Sequence, residues 1–152
     1  MDLEKIVREY IDKSIHMSLG TSANNKPWVC EVHFAYDENL NLYFVSSHKS
    51  RHCIELSDNP YVSGNIVKQH DITESPNGIY FEGTGEVVDS PSDKDIDVYT
   101  KRLGRDREGL VERLNDGEHN MYKITVKNWY AFGKFGQESN GKHELSWNGG
   151  EK

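Results

Sequence analysis

The run Ser46-Ser47-His48-Lys49-Ser50-Arg51-His52 gathers three hydroxyls, two permanent cations and two imidazoles into seven residues. A hydroxyl donates one hydrogen bond, a lysine ammonium acts as a point charge, and an arginine can grip two oxygens of one anion. Placed where a strand runs into a helix, the run gains the unpaired N–H groups and positive dipole end of the helix start. Together these groups suit a phosphate monoester. A ligand-free surface helix start uses the same residue types, so the run needs a cleft beside it to become a site.

The other chemistry-bearing residues point less clearly. His48 and His52 stand four apart and share a helix face with Cys53 beside them, but spacing supplies no third metal ligand, and no metal is expected. His33 falls in an alternating stretch and reads as an interior or cleft residue. Cys30 and Cys53 match neither a zinc pattern nor a disulfide framework and are expected to pack as small apolar groups in a reducing compartment. No Ser-His-Asp set can be argued from spacing. Trp28, Trp129 and Trp147 read as anchors of a core or an interface.

The elements that must position these residues follow from periodicity. Leu3, Ile6, Val7, Tyr10 and Ile11 recur at intervals of three and four, which predicts an N-terminal helix within residues 1–14. Alternation predicts strands over 15–21, 28–36 and 42–46, joined by turns at Asn24-Asn25-Lys26-Pro27 and Asp37-Glu38-Asn39 and forming an antiparallel meander. Ser50 is placed to cap a short helix through Leu56, ended by Ser57-Asp58-Asn59-Pro60. Further strands are expected over 61–67 and 78–88, with Gly83 and Gly85 admitting a bulge or a close backbone approach. Residues 89–118 form a helical insertion, with helices over 95–103 and 107–114. Met121 to Val126 is a sixth strand, 129–135 is extended, and the Gly- and Asn-rich tail over 136–152 is expected to be mobile. Six short antiparallel strands with flanking helices predict a small barrel whose interior side chains fill. A ligand must then sit outside it, at its mouth or between two copies.

Composition sets the limits. The chain has 152 residues, one domain's worth, with 18 Lys and Arg against 25 Asp and Glu, a net charge of −7. That balance argues against nucleic acid, whose phosphates need a concentrated basic surface. No run reaches the roughly 18 apolar residues of a membrane span, and the start Met1-Asp2-Leu3-Glu4-Lys5 lacks the pattern of a signal peptide, so a cytoplasmic protein is expected. Leu, Ile, Val and Phe make only 34 of the 152 residues, so the eight tyrosines and three tryptophans must supply part of the buried surface.

Read in order, Tyr36-Asp37-Glu38, Leu42-Tyr43-Phe44-Val45-Ser46-Ser47, Ser50-Arg51-His52 and Asn59-Pro60-Tyr61-Val62-Ser63-Gly64 resemble the pyridoxamine 5′-phosphate oxidase-like, FMN-binding split-barrel superfamily, and most of all its small UPF0306 members. The resemblance continues through Gly78-Ile79-Tyr80-Phe81-Glu82-Gly83 and Gly133-Lys134. It implies a single six-stranded split β-barrel domain over 1–152, paired as a homodimer with an FMN in each of two interface clefts. Carried over by position, Ser46, Ser50 and Arg51 would hold the FMN phosphate, with Ser47, Lys49 and His52 nearby. The backbone of Val29, Cys30, Glu31 and Val32 would run along the isoalloxazine edge. Trp129, or else Phe132, would meet the partner chain's flavin.

Two departures sharpen the expectation. The true oxidases carry two basic residues on the strand that here holds Val29 and Phe34, which leaves Lys49 to balance the phosphate charge. They also end in an Arg-His motif, whereas this chain ends in Glu144-Leu145-Ser146-Trp147-Asn148-Gly149-Gly150, and Glu112-Arg113-Leu114-Asn115-Asp116 lies too early to replace it. Pyridoxamine phosphate is therefore not the expected substrate. The resemblance implies an FMN oxidoreductase with NAD(P)H as electron donor, although no Gly-x-Gly-x-x-Gly fingerprint is present. The alternative it implies is a non-catalytic module for flavin, deazaflavin or haem, with His33 or His48 as the first axial ligand to test.

Overall fold

A computed structural model describes residues 2–133, 135 and 142–150. Asp2 accepts the amide of Lys5 and opens α1 (Leu3–Asp12), which buries Val7, Tyr10 and Ile11 along the predicted stripe. β1 (His16–Ala23) and β2 (Lys26–His33) pair over eight residues. Asn24 and Asn25, both at positive φ, make the two-residue turn that matches strand twist.

The predicted meander stops there. Phe34 is buried and its amide bonds Ile15 O, so the chain leaves β1 and continues as β3 (Ala35–Tyr36) and β4 (Leu42–Ser47). The turn between them is built on Asp37, whose carboxylate accepts from the Asn39 and Asn41 amides, the Asn41 side chain and the Tyr43 hydroxyl. β4 pairs with β7 (His119–Phe132) at the far side of the sheet rather than with β2. β5 (Tyr61–Ile66) and β6 (Gly78–Val88) complete the order β2-β1-β5-β6-β7-β4-β3, with β8 (Lys142–Ser146) also on β7. The result is a curled, wholly antiparallel sheet flanked by helices.

Among the described residues eight strands stand where six were expected, and the stretches 121–126 and 129–135 fuse into the single β7 without changing that number. Phe34 splits one predicted strand in two. The tail expected to be mobile contains β8, and Trp147 beyond it is buried with its indole N–H donating to Asn39 O at 2.6 Å. Residues 136–141 and 151–152 of that tail lie outside the described residues.

α2 (Arg51–Asp58), α3 (Asp93–Leu103) and α4 (Arg107–Leu114) stand close to their predicted limits. Two buried clusters result. The larger, with Met17, Leu19, Phe34, Phe44, Phe81 and Trp129, fills the curl of the sheet. The smaller joins Tyr43 and Met121 to Ile96 and Tyr99 of α3 and Leu110 of α4, on the opposite face of β4 and β7. No helix among the described residues is long and apolar enough to cross a membrane.

One irregularity decides where a predicted site residue points. Val126 faces Gly83 and Asn128 faces Glu82, so Lys127 has no partner across the ladder with β6. Residues 122, 124 and 126 face the core before this bulge, and residues 129 and 131 face it afterwards. Trp129 is consequently 0% exposed, against Phe81. It cannot present its ring to a partner's flavin, which corrects the expectation above. Phe132 remains on the outer face, tilted on Tyr80.

Candidate functional site

β4 delivers Ser46 and Ser47 to the start of α2, as expected. His52 and Ser46 are bonded, Nε2 to Oγ, at 3.0 Å, and His52 sits against the Phe44 ring. Burial holds the His52 imidazole below its ordinary pKa. Ser47 donates to Glu118 and accepts the Lys49 amide, while Ser50 donates to Ser47 O at 2.6 Å. That last bond spends the N-cap hydroxyl. α1, α3 and α4 are capped by Asp2, Ser92 and Asp106, but no side chain caps α2. Among the described residues its first-turn amides therefore have no acceptor, and the exposed Lys49 and half-exposed Arg51 stand beside them.

Arg51 donates from Nε to Glu55 at 2.9 Å and lies 4.2 Å over the Trp28 ring. Its two Nη groups make no hydrogen bond among the described residues. β2 lies at one end of the sheet order with its outer edge unpaired, so the backbone of Val29 to Val32 is open to a ligand. Val29 and Glu31 are exposed, while Cys30 and Val32 turn to the core. Burial, with Cys53 and Glu31 nearby, pushes the Cys30 thiol up to about 11, and burial raises that of Cys53 too. Both are thiols at neutral pH rather than nucleophiles.

The insertion at 89–118 is more than a solvated acidic face. Its two helices wall a cavity of about 410 Å³ against β2 and β4. Buried Val32, Tyr99 and Leu110 line it with Ser46, and the exposed Arg105 and Arg113 stand at its border. Arg105 donates to His33 Nδ1 and Arg113 to His119 Nε2, both at 3.3 Å. A guanidinium only donates, so each imidazole accepts as the neutral form, and neither arginine has its charge cancelled. Burial, His16 and Arg105 together hold His33 below its usual pKa, which favours that form. Two acids also line the cavity and are held by neutral donors: Glu31 accepts from Ser18, and Asp106 caps α4.

Sequence reasoning found the α2 cradle and missed Arg105 and Arg113. A signal was present: Gly104 and Asp106 mark Arg105 as the joint between two helices, and Gly109, Leu110 and Arg113 share one helical face. Among the described residues no three His, Cys, Asp or Glu side chains converge as metal ligands.

The sequence matches the pyridoxamine 5′-phosphate oxidase family over residues 3–133. The chain belongs to that family. It is similar to the UPF0306 protein of Pasteurella multocida, 28% identical over 82 residues, which are 53% of this chain and 55% of that relative. The match thus spans about half the relative's length. Solved structures share the family fold at low identity. A haem storage protein of Vibrio cholerae, HutZ, superposes with a TM-score of 0.67 at 18% identity, covering 96% of this chain and 95% of that one. Campylobacter jejuni ChuZ gives 0.75 at 16%, covering 95% and 59%. A 5-nitroimidazole antibiotic resistance protein of Bacteroides thetaiotaomicron gives 0.69 at 14%, covering 86% and 84%.

Proposed function

We propose that this family member is an FMN-binding split-barrel flavoprotein, a homodimeric oxidoreductase with NAD(P)H as electron donor and a small organic anion, not pyridoxamine phosphate, as substrate. The observation that carries the reading is the uncapped start of α2 with Ser46, Lys49, Ser50 and Arg51 around it. That donor set fits a phosphate monoester, and the open edge of β2 beside it fits the polar rim of a flat ring. FMN bound there would supply the redox chemistry, and the protein supplies binding, orientation and electrostatics. No side chain is then required as acid or base. Val32, Val45, Tyr99 and Leu110 in the mixed lining of the insertion cavity would pack against a substrate's body, and Arg105 and Arg113 would hold its anionic group.

The names of the relatives with similar structures keep haem in view as a second occupant. Both histidines first suggested as axial ligands are engaged: His33 accepts from Arg105, and His48 Nε2 bonds Gly117 O at 3.2 Å. This favours flavin over haem. The visible spectrum of the purified protein tests the choice. Flavin bands bleached by NAD(P)H under anaerobic conditions are the expected result. Flavin bands that the nicotinamide leaves unchanged would reduce the protein to a binding module. A Soret band would replace flavin with haem, and a colourless protein that takes up no added FMN would overturn the proposal.

A further inference from the structure

A carboxylate stands almost buried under the proposed phosphate site, and the chemistry described so far gives it no task. Glu55, in the last half of α2, is 7% exposed. Burying a charge is costly unless it is paired and hydrogen-bonded, and Glu55 satisfies both oxygens. Oε1 accepts the Thr21 hydroxyl of β1 at 2.9 Å, and Oε2 accepts Arg51 Nε at 2.9 Å. These bonds, with that of Arg51 first, hold its carboxyl below the ordinary range. Trp28 of β2 covers the guanidinium face.

An ordinary surface pair at i, i+4 leaves the arginine free to swing and contributes little. Here three elements restrain it: Glu55 takes the Nε edge, Trp28 takes one face, and Thr21 anchors Glu55. The Nη edge is what remains. We infer that Glu55 is a positioning residue, which with Thr21 and Trp28 holds Arg51 so that its two Nη groups stay open to an anion at the start of α2. Ordering a long side chain before the ligand arrives removes an entropy cost from binding. The anion's identity as the FMN phosphate rests on the function proposed above; the holding of Arg51 does not.

The opposing possibility is that Glu55 cancels the charge of Arg51 and weakens anion binding. The affinity ratio of FMN to riboflavin separates the two, because it isolates the phosphate and is insensitive to general damage. Arg51→Ala should lower the ratio by about tenfold or more, as expected for a lost charged hydrogen bond. Glu55→Ala and Trp28→Leu should lower it by about threefold or more, and Glu55→Ala should cost little further in the Arg51→Ala background. Glu55→Gln, which can still accept from Arg51 and donate to Thr21, should restore the ratio. A ratio that rises in Glu55→Ala would overturn the inference, as would a fall in Glu55→Gln equal to that in Glu55→Ala.

A second readout needs no flavin. The Arg51 Nε–H signal in nitrogen-15 NMR of the ligand-free protein should be sharp and slow to exchange, and should broaden in both Glu55→Ala and Trp28→Leu. If it does not broaden, Glu55 and Trp28 are not what holds Arg51, and the inference is overturned. A wild-type protein with no preference for FMN over riboflavin would instead remove the phosphate reading while leaving this test of Glu55 intact.

Discussion

Asp116 shows how much one side chain can organise. It accepts the amides of Glu118 and His119 at 2.8 Å and bonds His119 Nδ1 at 2.6 Å, and His119 in turn accepts from Arg113. The two amides hold its carboxyl down to about 2. An unfolded aspartate titrates near about 4, so the folded state binds fewer protons in between. Stability from Asp116 is therefore complete above about pH 4 and is lost as pH falls towards about 2. Asp116→Asn should flatten the acid limb of the stability curve over that window, measured by urea unfolding at several pH values. An unchanged limb would mean the amides hold the turn without the charge. At this scale the sequence was partly legible. Ser46, Ser50 and Arg51 could be picked out because they are contiguous in the chain. Glu55 lies one helical turn beyond Arg51 and its pairing was legible too, but Thr21 and Trp28 could not be picked out, because strand pairing and helix docking bring them to that pair.

The β7 strand carries the lesson at the scale of elements. Gly83 and Gly85 were expected to admit a bulge or a close approach, and they do both. A Cβ on Gly83 would collide with the Thr125 carbonyl at the bulge, and one on Gly85 would come within 2.6 Å of Leu56 on α2. Gly83→Ala should destabilise the protein by about 2 kcal/mol, in the range for overpacking where backbone must move, with a lowered melting temperature as the readout. A neutral effect would mean that the ladder can shift to admit a methyl group. The bulge also sets the direction of Trp129. Alternation extended from Tyr122, Ile124 and Val126 would put Trp129 outside, and the unpaired Lys127 reverses that parity. The helices of the insertion were legible from their caps and spacing, whereas their role as a cavity wall depends on where β4 pairs.

Across the whole molecule, the outer face of β2, β1 and β5 lacks a cover among the described residues. Val29 and Tyr61 are 63% and 65% exposed there, next to the open edge of β2. Such a face suits the second copy proposed here. It also accounts for the low count of large aliphatics, since aromatic rings would bury their remaining surface between two chains. Sedimentation should show a dimer, and Val29→Glu with Tyr61→Glu should shift it to monomer and weaken flavin retention. A wild-type monomer at micromolar concentration would remove the dimer proposal.

By itself the sequence determined the local content of this protein. Spacing marked the helices and most strands, turn residues marked their joints, and the hydroxyl-rich run before α2 marked the junction proposed as an anion site and pointed to the family. These are properties of neighbouring residues, set by periodicity, capping and composition. The tertiary structure decided which strands pair, which way Trp129 faces, that the insertion brings Arg105 and Arg113 to a cavity, and that Thr21 and Trp28 close on the Arg51–Glu55 pair. Each depends on register and on contacts between residues distant in the chain, where a single bulge or a skipped pairing reverses the outcome.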